Sequence, residues 1–596
     1  MVISGEDYNK KMLDLLGDQN IYKKVARSLV PSQTQKNNCV VKFWFQEGFI
    51  EENMFKDLTI SGANVAKIYG LLKIHKPGLP MRPIVSTVGA PYHTISKFFT
   101  NILSKIVGKL DCHVKNSFEF FAFINGTRIP ERFKLISLDV KSMYTNISVE
   151  LAMECVEARW SEIEEFCSIP KEHFCHMLRT CISSTVFQYE EFFYQQIGGL
   201  AMGGSISAVL ANIVMEHFEL WALSKTPYLI YFYKRYVDDL FLCVKEDEIM
   251  LILEFFNSLN PLIQFTIEIE ENSRLPYLDM TLVRINNSVF CKWYQKPTSS
   301  GRYANFLSVQ PTSIKKNVVM NLARRIIGLS HESFWPEMIH KGKQLLVENC
   351  YPYHFVDKIF KQVLRGQKYN RGLLNSSNIS ELSEVPEPTR KRDFRKNMVC
   401  IPYVPFLSEN ISAFLRNFGY EVVNARYNTL QCLMSKLKAK TPDQQQAGVV
   451  YKIPCGDCNL SYIGRTKQVL CKRLNGHKYD NKEVTALHKH QSEENHNFKF
   501  DDVVVLRRER RDFPRLLLEM IEILKNEGGV CNSRSDVQRL APVYYKFLRS
   551  QGVLPPGGRR WKLSFRVSVP VVVPHRCLRL CYLFFSRFTS VARCSI

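Results

Sequence analysis

The chain has 596 residues, and its 80 lysines and arginines outnumber its 57 aspartates and glutamates, giving a formal net charge of +23. Hydrophobic residues make up 45% and aromatic residues 12%, which excludes a wholly disordered chain. The positive excess favours a polyanionic partner, most simply nucleic acid. No uninterrupted apolar run reaches membrane-spanning length, so no membrane partner is expected.

Composition changes along the chain predict several domains, as a length near 600 residues also does. The 18 cysteines are scattered rather than clustered, which favours a reducing compartment over a disulfide scaffold. The expected segments are a partly helical stretch over 1–60, strand-rich sequence over 61–310, helices over 311–369, a polar connector over 370–445, a second compact unit over 446–548, and a basic tail of unassigned role over 549–596.

The first element with chemical content is IYGLLKIHKPGLPMRPIVS, which reads as two strands joined by a turn at Pro77 and Gly78. Lys73, Lys76 and Arg82 lie on this hairpin. Cations in such a position can neutralise the oxygens of a triphosphate. The alternative is an ordinary solvated hairpin tip.

Three aspartates follow at the ends of predicted strands. FKLISLDV has the alternation of a strand that ends near Asp139, and YFYKRYVDDLFLCVKED reads as a hairpin with Asp238 and Asp239 at its turn. Transfer of a nucleotidyl group by two Mg²⁺ ions about 3.5–4 Å apart needs hard oxygen ligands of this kind. A lone Asp-Asp pair is more often simple turn chemistry, but this apolar frame and the earlier Asp139 favour a metal site.

Between these aspartates lies a glycine-rich turn, QQIGGLAMGGSISA, followed by a helical pattern. Met202 and Gly203 stand in the turn, where glycines let the backbone approach another surface closely. Such a turn suits the wall beneath a template base and an incoming nucleotide. A tight loop that leads into a core helix is an equally good interpretation of this segment alone.

A second group of residues lies in the segment after the connector. GVVYKIPCGDCNLSYIGRTK predicts a strand that ends at Tyr451 and a second strand that ends in Tyr462-Ile463-Gly464, and the helix that follows has Arg473 and His477 on one face. Glu519 lies on a later amphipathic helix, PRLLLEMIEILKN. These residue types can hydrolyse a phosphodiester: the glutamate holds one divalent metal, the arginine stabilises phosphate, and a tyrosine helps to activate water. The alternative is that both tyrosines are packing residues.

The same segment contains a set of four zinc-type ligands. Cys455 and Cys458 have the spacing of a zinc knuckle, and His490 and His496 follow. Together they predict a tetrahedral Cys₂His₂ site. His488 is a competing ligand, and unligated thiols are the alternative to a metal site.

The order of basic hairpin, Asp139, glycine turn and YVDD resembles the reverse transcriptase domain. By this resemblance Tyr144, five residues after Asp139, is the aromatic residue that excludes a ribose 2′-hydroxyl. Where the family usually has Gln before the loop glycine, this chain has Met202, which is typical of the Penelope-like retroelements. The blocks YGLLKIHKPGLPMRPIVS, LDVKSMYTNI, GLAMGGSISA, LPYLDMTLVR and WYQKPTSSGRYANF are similar to blocks of that group.

The second compact unit resembles the GIY-YIG nucleases. Val449-Val450-Tyr451 stands for GIY, Tyr462-Ile463-Gly464 stands for YIG, and Arg473 and Glu519 match the family arginine and metal-binding glutamate. Glu522 is the weaker match for that glutamate, and Asn532 corresponds to a downstream polar position. Penelope-like elements carry this nuclease after the polymerase, with a similar Cys-Cys-His-His set.

The resemblances imply a multidomain α+β protein: a right-hand polymerase of fingers, palm and thumb, with a small C-terminal α/β GIY-YIG nuclease domain. The expected activity is RNA-directed DNA synthesis coupled to nicking of target DNA, whose 3′-hydroxyl serves as primer. The partners would be an RNA template, primer and target DNA, and dNTPs. Two Mg²⁺ ions are expected in the polymerase, one in the nuclease, and Zn²⁺ in the Cys₂His₂ set; the expected place of action is the nucleus.

Two rival functions stay open at this point. One is a DNA-templated repair polymerase, and the other is a domesticated nucleic-acid-binding protein without catalysis. Similarity to telomerase reverse transcriptase also leaves priming at existing 3′ ends open. The sequence does not assign the template RNA, the target site or the oligomeric state.

Overall fold

The computed structural model describes residues 3–376 apart from 61 and 75–77, then residues 398–425, 441–479 and 485–548, the last with short gaps at 510, 527, 539, 542–543 and 545–547. The basic tail predicted over 549–596 lies outside the described residues. The chain divides into two compact units, Met1–Ala447 with Lys467–Arg473, and Gly448–Thr466 with the chain from Leu474 onwards. Within the described residues, no helix combines the length and apolar content needed to cross a membrane.

The first unit begins with helices and two sheets. Its elements up to residue 269 are α1 (Gly5–Leu16), β1 (Tyr22–Val25), α2 (Val30–Gln46), α3 (Glu52–Leu58), β2 (Ala66–Leu72), β3 (Met81–Ser86), α4 (His93–Leu103), α5 (Ser117–Ile124), β4 (Phe133–Val140), α6 (Met143–Asn146), α7 (Val149–Ala158), α8 (Trp160–Ile163), α9 (Lys171–Ser183), β5 (Val186–Tyr189), β6 (Phe192–Gln196), α10 (Ser207–Lys225), β7 (Ile230–Tyr236), β8 (Asp239–Lys245), α11 (Ile249–Leu259) and β9 (Phe265–Ile269). The helices predicted within residues 1–60 are therefore present.

A four-stranded sheet with the order β7-β8-β4-β9 lies at the centre of this unit. The strand predicted over FKLISLDV is confirmed as β4. Its side chains alternate as expected: Ile136 and Leu138 pack in one buried cluster with α4, α7 and α10, whereas Leu135 packs in a second cluster. Burial on both faces fixes the register, because a slip by one residue would exchange the two faces.

The basic hairpin belongs to a second sheet, with the order β1-β6-β5-β2-β3. The two predicted strands are confirmed, since β2 and β3 pair antiparallel from Lys67↔Ser86 to Leu72↔Met81, whereas Pro77 of the predicted turn lies outside the described residues. The glycine turn leads into α10, also as predicted. Glu216 and Glu219 are buried in α10 together with most of its apolar residues, which the helical pattern did not predict. They face two arginines, Arg159 and Arg235, which compensate their burial.

The rest of the first unit contains a small sheet, a helical segment and a βαβ unit. Its elements are β10 (Arg274–Tyr277), β11 (Met280–Ile285), β12 (Ser288–Trp293), α12 (Thr312–Gly328), α13 (Trp335–Glu348), α14 (Tyr353–Ser376), β13 (Met398–Pro402), α15 (Leu407–Arg416) and β14 (Glu421–Ala425). The small sheet and α12–α14 share a buried core with α5 and with Leu135 on the back of β4. Within the predicted connector, β13 and β14 pair in parallel around α15, which the polar composition did not predict.

The second unit has a three-stranded sheet in the order β16-β15-β17, with helices around it. Its elements are β15 (Ala447–Pro454), β16 (Ser461–Val469), α16 (Leu470–Tyr479), α17 (Ala486–Glu494), β17 (Val504–Arg508) and α18 (Asp512–Lys525). Ala447, the end of β16 and the first turn of α16 are assigned to the first unit. The strand predicted to end at Tyr451 instead continues to Pro454, because Lys452 still pairs with Val504. Likewise, the second strand does not end at Gly464 but begins at Ser461 and continues to Val469.

Candidate functional site

The three aspartates meet at one edge of the central sheet. Strands β4 and β8 are antiparallel neighbours, and Asp139 and Asp239 are directly opposite each other in their register. Tyr236 pairs with Asp239 across the β7–β8 hairpin, so Val237 and Asp238 form its two-residue turn. Asp139 is far from Asp238 and Asp239 in the sequence, and the pairing of β4 with β8 brings the three residues together.

The electrostatics of this edge are those of crowded negative charges. Partial burial raises the pKa of Asp239 to about 7, and the neighbouring charges of Asp238 and Asp139 act in the same direction. Burial also raises the pKa of Asp238, and Asp139 adds to that shift. Like charges in a half-buried site disfavour the ionised forms unless a cation compensates them. The donor set of carboxylate oxygens therefore suits Mg²⁺, which prefers hard oxygen ligands.

The glycine turn and the predicted sugar-discriminating residue are in contact. Tyr144 lies in α6, and its main-chain carbonyl accepts a hydrogen bond of 2.6 Å from the Leu200 amide. Gly199 has φ +68°, and a Cβ there would lie only 2.5 Å from the Thr145 carbonyl oxygen, so glycine is required. Burial raises the pKa of Tyr144, and the charge of Asp238 adds to that shift.

The basic hairpin contacts the same turn. The Val85 amide on β3 donates a hydrogen bond of 2.7 Å to the carbonyl of Met202, next to Gly203. Arg82 is exposed on β3, and its positive charge opposes the rise in the pKa of Asp238. Lys73 follows β2 and lies nearer the hairpin tip. Its main-chain amide donates a hydrogen bond to the Pro80 carbonyl. Of the predicted phosphate ligands, Arg82 is thus the one whose charge acts on the aspartates. Lys76 lies outside the described residues.

In the second unit, the two predicted tyrosines and His477 form one buried cluster. The Tyr451 hydroxyl and His477 Nε2 are 2.9 Å apart, and the Tyr462 and His477 ring centroids are 5.4 Å apart. Gly464 fills the space between the tyrosines: a Cβ there would lie 2.7 Å from Tyr462 Cε1 and 2.9 Å from the Tyr451 hydroxyl. The pattern Tyr-Ile-Gly is thus explained by close approach of two aromatic rings.

Glu519, whose side chain is partly buried, is the carboxylate of this unit that matches the predicted metal ligand. Burial raises the pKa of Glu519 to about 7, against the opposing charge of Arg465, whose Nε lies 2.9 Å from a Glu519 carboxylate oxygen. Glu522, the weaker sequence match, is paired with Arg507 at 3.0 Å and Lys525 at 3.2 Å. Glu519 is therefore the better metal ligand, because its partner is a single, partly exposed cation.

The remaining predicted nuclease residues have different surroundings. Arg473 lies on α16, one turn before His477, and is half-buried. Asn532 holds strand β16 through two hydrogen bonds of 2.8 Å, from the Ile463 amide to its Oδ1 and from its Nδ2 to the Ile463 carbonyl. The observed contacts of Asn532 are therefore structural ones.

The four zinc-type ligands come together as the sequence predicts. One ligand atom from each of Cys455, Cys458, His490 and His496 lies within 4.8 Å of all the others. Two thiols and two imidazoles at this separation suit tetrahedral Zn²⁺. His488, the competing ligand, instead directs its Nε2 to the His477 carbonyl at 3.0 Å. It therefore supports the tyrosine–histidine cluster rather than the four-ligand set.

Comparison with protein-family models gives two matches. Residues 74–266 match the family described as reverse transcriptase (RNA-dependent DNA polymerase), and this range contains all three aspartates and the glycine turn. The chain contains a reverse transcriptase domain. Residues 302–361, which include α12 and α13, match the animal helix-turn-helix domain. A search of curated protein sequences found no match.

Solved polymerase structures have low similarity to the chain. Telomerase from Candida albicans, in complex with a fragment of telomeric RNA, is 12% identical with a TM-score of 0.35, over 60% of this chain and 67% of that chain. Telomerase from Candida Tropicalis is 12% identical with a TM-score of 0.34, over 63% and 58%. The Sicinivirus 3Dpol RNA-dependent RNA polymerase is 12% identical with a TM-score of 0.33, over 56% and 71%. At these TM-scores the likenesses carry no argument about function.

Sequence reasoning missed several charged residues around both sites. In the reverse transcriptase domain, Arg235 is fully buried beside the YVDD turn. Lys296 lies just beyond the domain, and its charge opposes the rise in the pKa of Asp239. In the second unit, Arg465 pairs with Glu519. The sequence could have pointed to Arg235, because an arginine inside an apolar strand needs a buried partner for its charge. Arg465 directly follows Gly464, but no spacing rule links it to a helix that begins at Asp512.

Proposed function

We propose that this chain is a Penelope-like retroelement protein, an RNA-directed DNA polymerase coupled to a GIY-YIG endonuclease that nicks target DNA. The observation that carries the polymerase is the edge where Asp139 and Asp239 lie opposite each other, inside a segment that matches the reverse transcriptase model. The nuclease half is supported by the cluster of Tyr451, Tyr462 and His477 and by the partly buried Glu519.

In the polymerase, Asp139, Asp238 and Asp239 would hold two Mg²⁺ ions. When bound, such ions activate a primer hydroxyl and neutralise charge on the leaving pyrophosphate. The chain's own residues supply the remaining requirements. Arg82 is exposed and would contact phosphate oxygens. The glycine turn would support the base pair being formed, and the Tyr144 ring would exclude a ribose 2′-hydroxyl.

In the nuclease, Glu519 would hold one divalent metal, which when bound polarises the scissile phosphate. The Tyr451 hydroxyl lies 2.9 Å from His477 Nε2. With Nε2 accepting the phenol proton, the phenol oxygen would accept a proton from an attacking water. Arg473 contributes positive charge toward the phosphate. The Cys₂His₂ set would hold structural Zn²⁺, since four protein ligands leave no open coordination position.

The two activities on one chain suggest target-primed synthesis. A nick in target DNA releases a 3′-hydroxyl, and the polymerase extends it on the element's RNA, an order of steps taken from the resemblance. The net charge of +23 suits simultaneous contact with template and target. Because the target is chromosomal DNA, the nucleus is the proposed place of action.

The test is extension of a nicked DNA duplex on an annealed RNA template, with Mg²⁺ supplied or withheld. The expected result is Mg²⁺-dependent incorporation of dNTPs that requires the RNA strand. Preference for a DNA template would support the repair polymerase instead. Binding of both nucleic acids without a single turnover would support a non-catalytic protein. Supplying an intact supercoiled plasmid in place of the nicked duplex tests the nuclease, through conversion to the open-circular form.

A further inference from the structure

The turn that carries Asp238 has an unusual backbone conformation. Val237, its first residue, has φ +58°, in the left-handed region. A β-branched side chain is disfavoured there, and such strain persists only when surrounding contacts hold the backbone in place. The turn sets the direction of Asp238 and the start of the strand that carries Asp239. Whatever holds Val237 therefore controls the geometry of two carboxylates.

Arg235 holds the turn from one side. Its Nη1 donates hydrogen bonds to the Val237 carbonyl at 2.9 Å and to Asn212 Oδ1 at 3.0 Å. The side chain is fully buried, and its Nε lies 2.8 Å from a carboxylate oxygen of Glu219 on α10. Because Asn212 and Glu219 belong to the helix that follows the glycine turn, Arg235 links the catalytic hairpin to that helix.

Tyr277 holds the turn from the other side. Its hydroxyl donates a hydrogen bond of 2.9 Å to the Asp239 carbonyl, and its side chain is only 4% exposed. Tyr277 ends β10 and packs against Phe120 and Phe241 in a buried aromatic group. The two contacts bracket the turn, since one fixes the carbonyl before Asp238 and the other fixes the carbonyl of Asp239.

We propose that Arg235 and Tyr277 are positioning residues. They hold the strained Val237–Asp238 turn so that the carboxylates of Asp238 and Asp239 are in position to bind metal. This inference rests on the polymerase activity proposed above. Neither side chain touches substrate or metal in this role. Loss of either contact lets the turn relax, which changes the position of Asp238 and Asp239 while leaving the surrounding core packed.

The decisive variant is Tyr277→Phe, which removes one hydroxyl and no ring. Its matched control is Tyr351→Phe. Tyr351 is 2% exposed, belongs to the same buried cluster, and donates a hydrogen bond of 2.8 Å to a main-chain carbonyl, that of Ala304, away from the turn. In the full-length protein, Tyr277→Phe should lower kcat about tenfold and raise the half-saturating Mg²⁺ concentration, with KM for dNTP unchanged. Tyr351→Phe should change none of these.

A second readout does not depend on catalysis. In metal-free protein, amide hydrogen exchange at residues 237–240 should be at least about threefold faster in Tyr277→Phe than in the wild type or Tyr351→Phe. Arg235→Lys, which keeps the charge but not the forked donors, should show the same local effect. Equal exchange at the turn in all proteins, or equal kcat and Mg²⁺ dependence in both tyrosine variants, overturns the inference. An inactive wild type with faster exchange in Tyr277→Phe would instead refute only the polymerase function.

Discussion

Asp139 and Asp239 are directly opposite each other in the antiparallel register of β4 and β8, although they lie far apart in the chain. The pairing depends on the whole β4–β8 ladder, which runs from Phe133↔Lys245 to this last pair. The edge that carries the aspartates is therefore set by the length of two strands and not by local turn chemistry alone.

The double substitution Asp238→Asn with Asp239→Asn should reduce primer extension by at least about 10²-fold, because it removes two of three carboxylates that would hold Mg²⁺. The melting temperature should not fall, since the change also relieves repulsion between partly buried like charges. The matched control is Asp247→Asn, an exposed aspartate beyond the other end of β8. Wild-type extension by the double variant would show that the aspartates are not the metal ligands.

Tyr144→Ala should increase ribonucleotide incorporation relative to deoxyribonucleotide incorporation by about tenfold or more, because loss of the ring opens space for a 2′-hydroxyl. Tyr144→Phe is the control that keeps the ring and should retain discrimination. The measurement is the ratio of kcat/KM for dNTP and rNTP in single-nucleotide extension. If alanine and phenylalanine variants discriminate as the wild type does, Tyr144 is a packing residue only.

Glu519→Gln should reduce DNA nicking by at least about 10²-fold, and Arg473→Ala should do the same, because the two residues are the proposed metal ligand and phosphate contact. Extension of a supplied primer on RNA should persist in both variants. Glu493→Gln, at an exposed position of α17, is the control. Nicking that survives Glu519→Gln would remove the assignment of this glutamate.

Cys455→Ser and Cys458→Ser should each lower the zinc content of the full-length protein and destabilise the second unit, because a four-ligand site contributes directly to folding. Cys471→Ser, at an exposed cysteine outside the set, should leave zinc content unchanged. Elemental analysis gives the metal content, and limited proteolysis reports the local stability. Zinc-free wild-type protein with undiminished nicking would make Cys455 and Cys458 incidental thiols.

The elements that sequence reasoning predicted best are those with strong local patterns. β4 follows from its alternation, the YVDD hairpin from the apolar runs on both sides, and α18 from its amphipathic spacing. The Cys₂His₂ set was predictable because its ligand types and order are specific, and the structure brings all four together.

The features that were not predictable depend on distant contacts. The end of β15 was misplaced because pairing with β17, which begins at Val504, continues past Tyr451 to Lys452. The burial of Glu216 became visible only once Arg159 was placed beside it. The parallel pairing of β13 and β14 lies in a segment whose polar composition resembles a linker.

The glycine turn is fastened at both ends, by the Leu200 amide to Tyr144 and by the Met202 carbonyl to Val85. A shift of this turn must therefore move Tyr144, the proposed sugar-discriminating residue, and the strand that carries Arg82. In the proposed polymerase, sugar selection and triphosphate affinity would therefore be mechanically coupled. Variants selected for altered ribonucleotide use should consequently arise in the turn as well as at Tyr144, and should change nucleotide affinity at the same time.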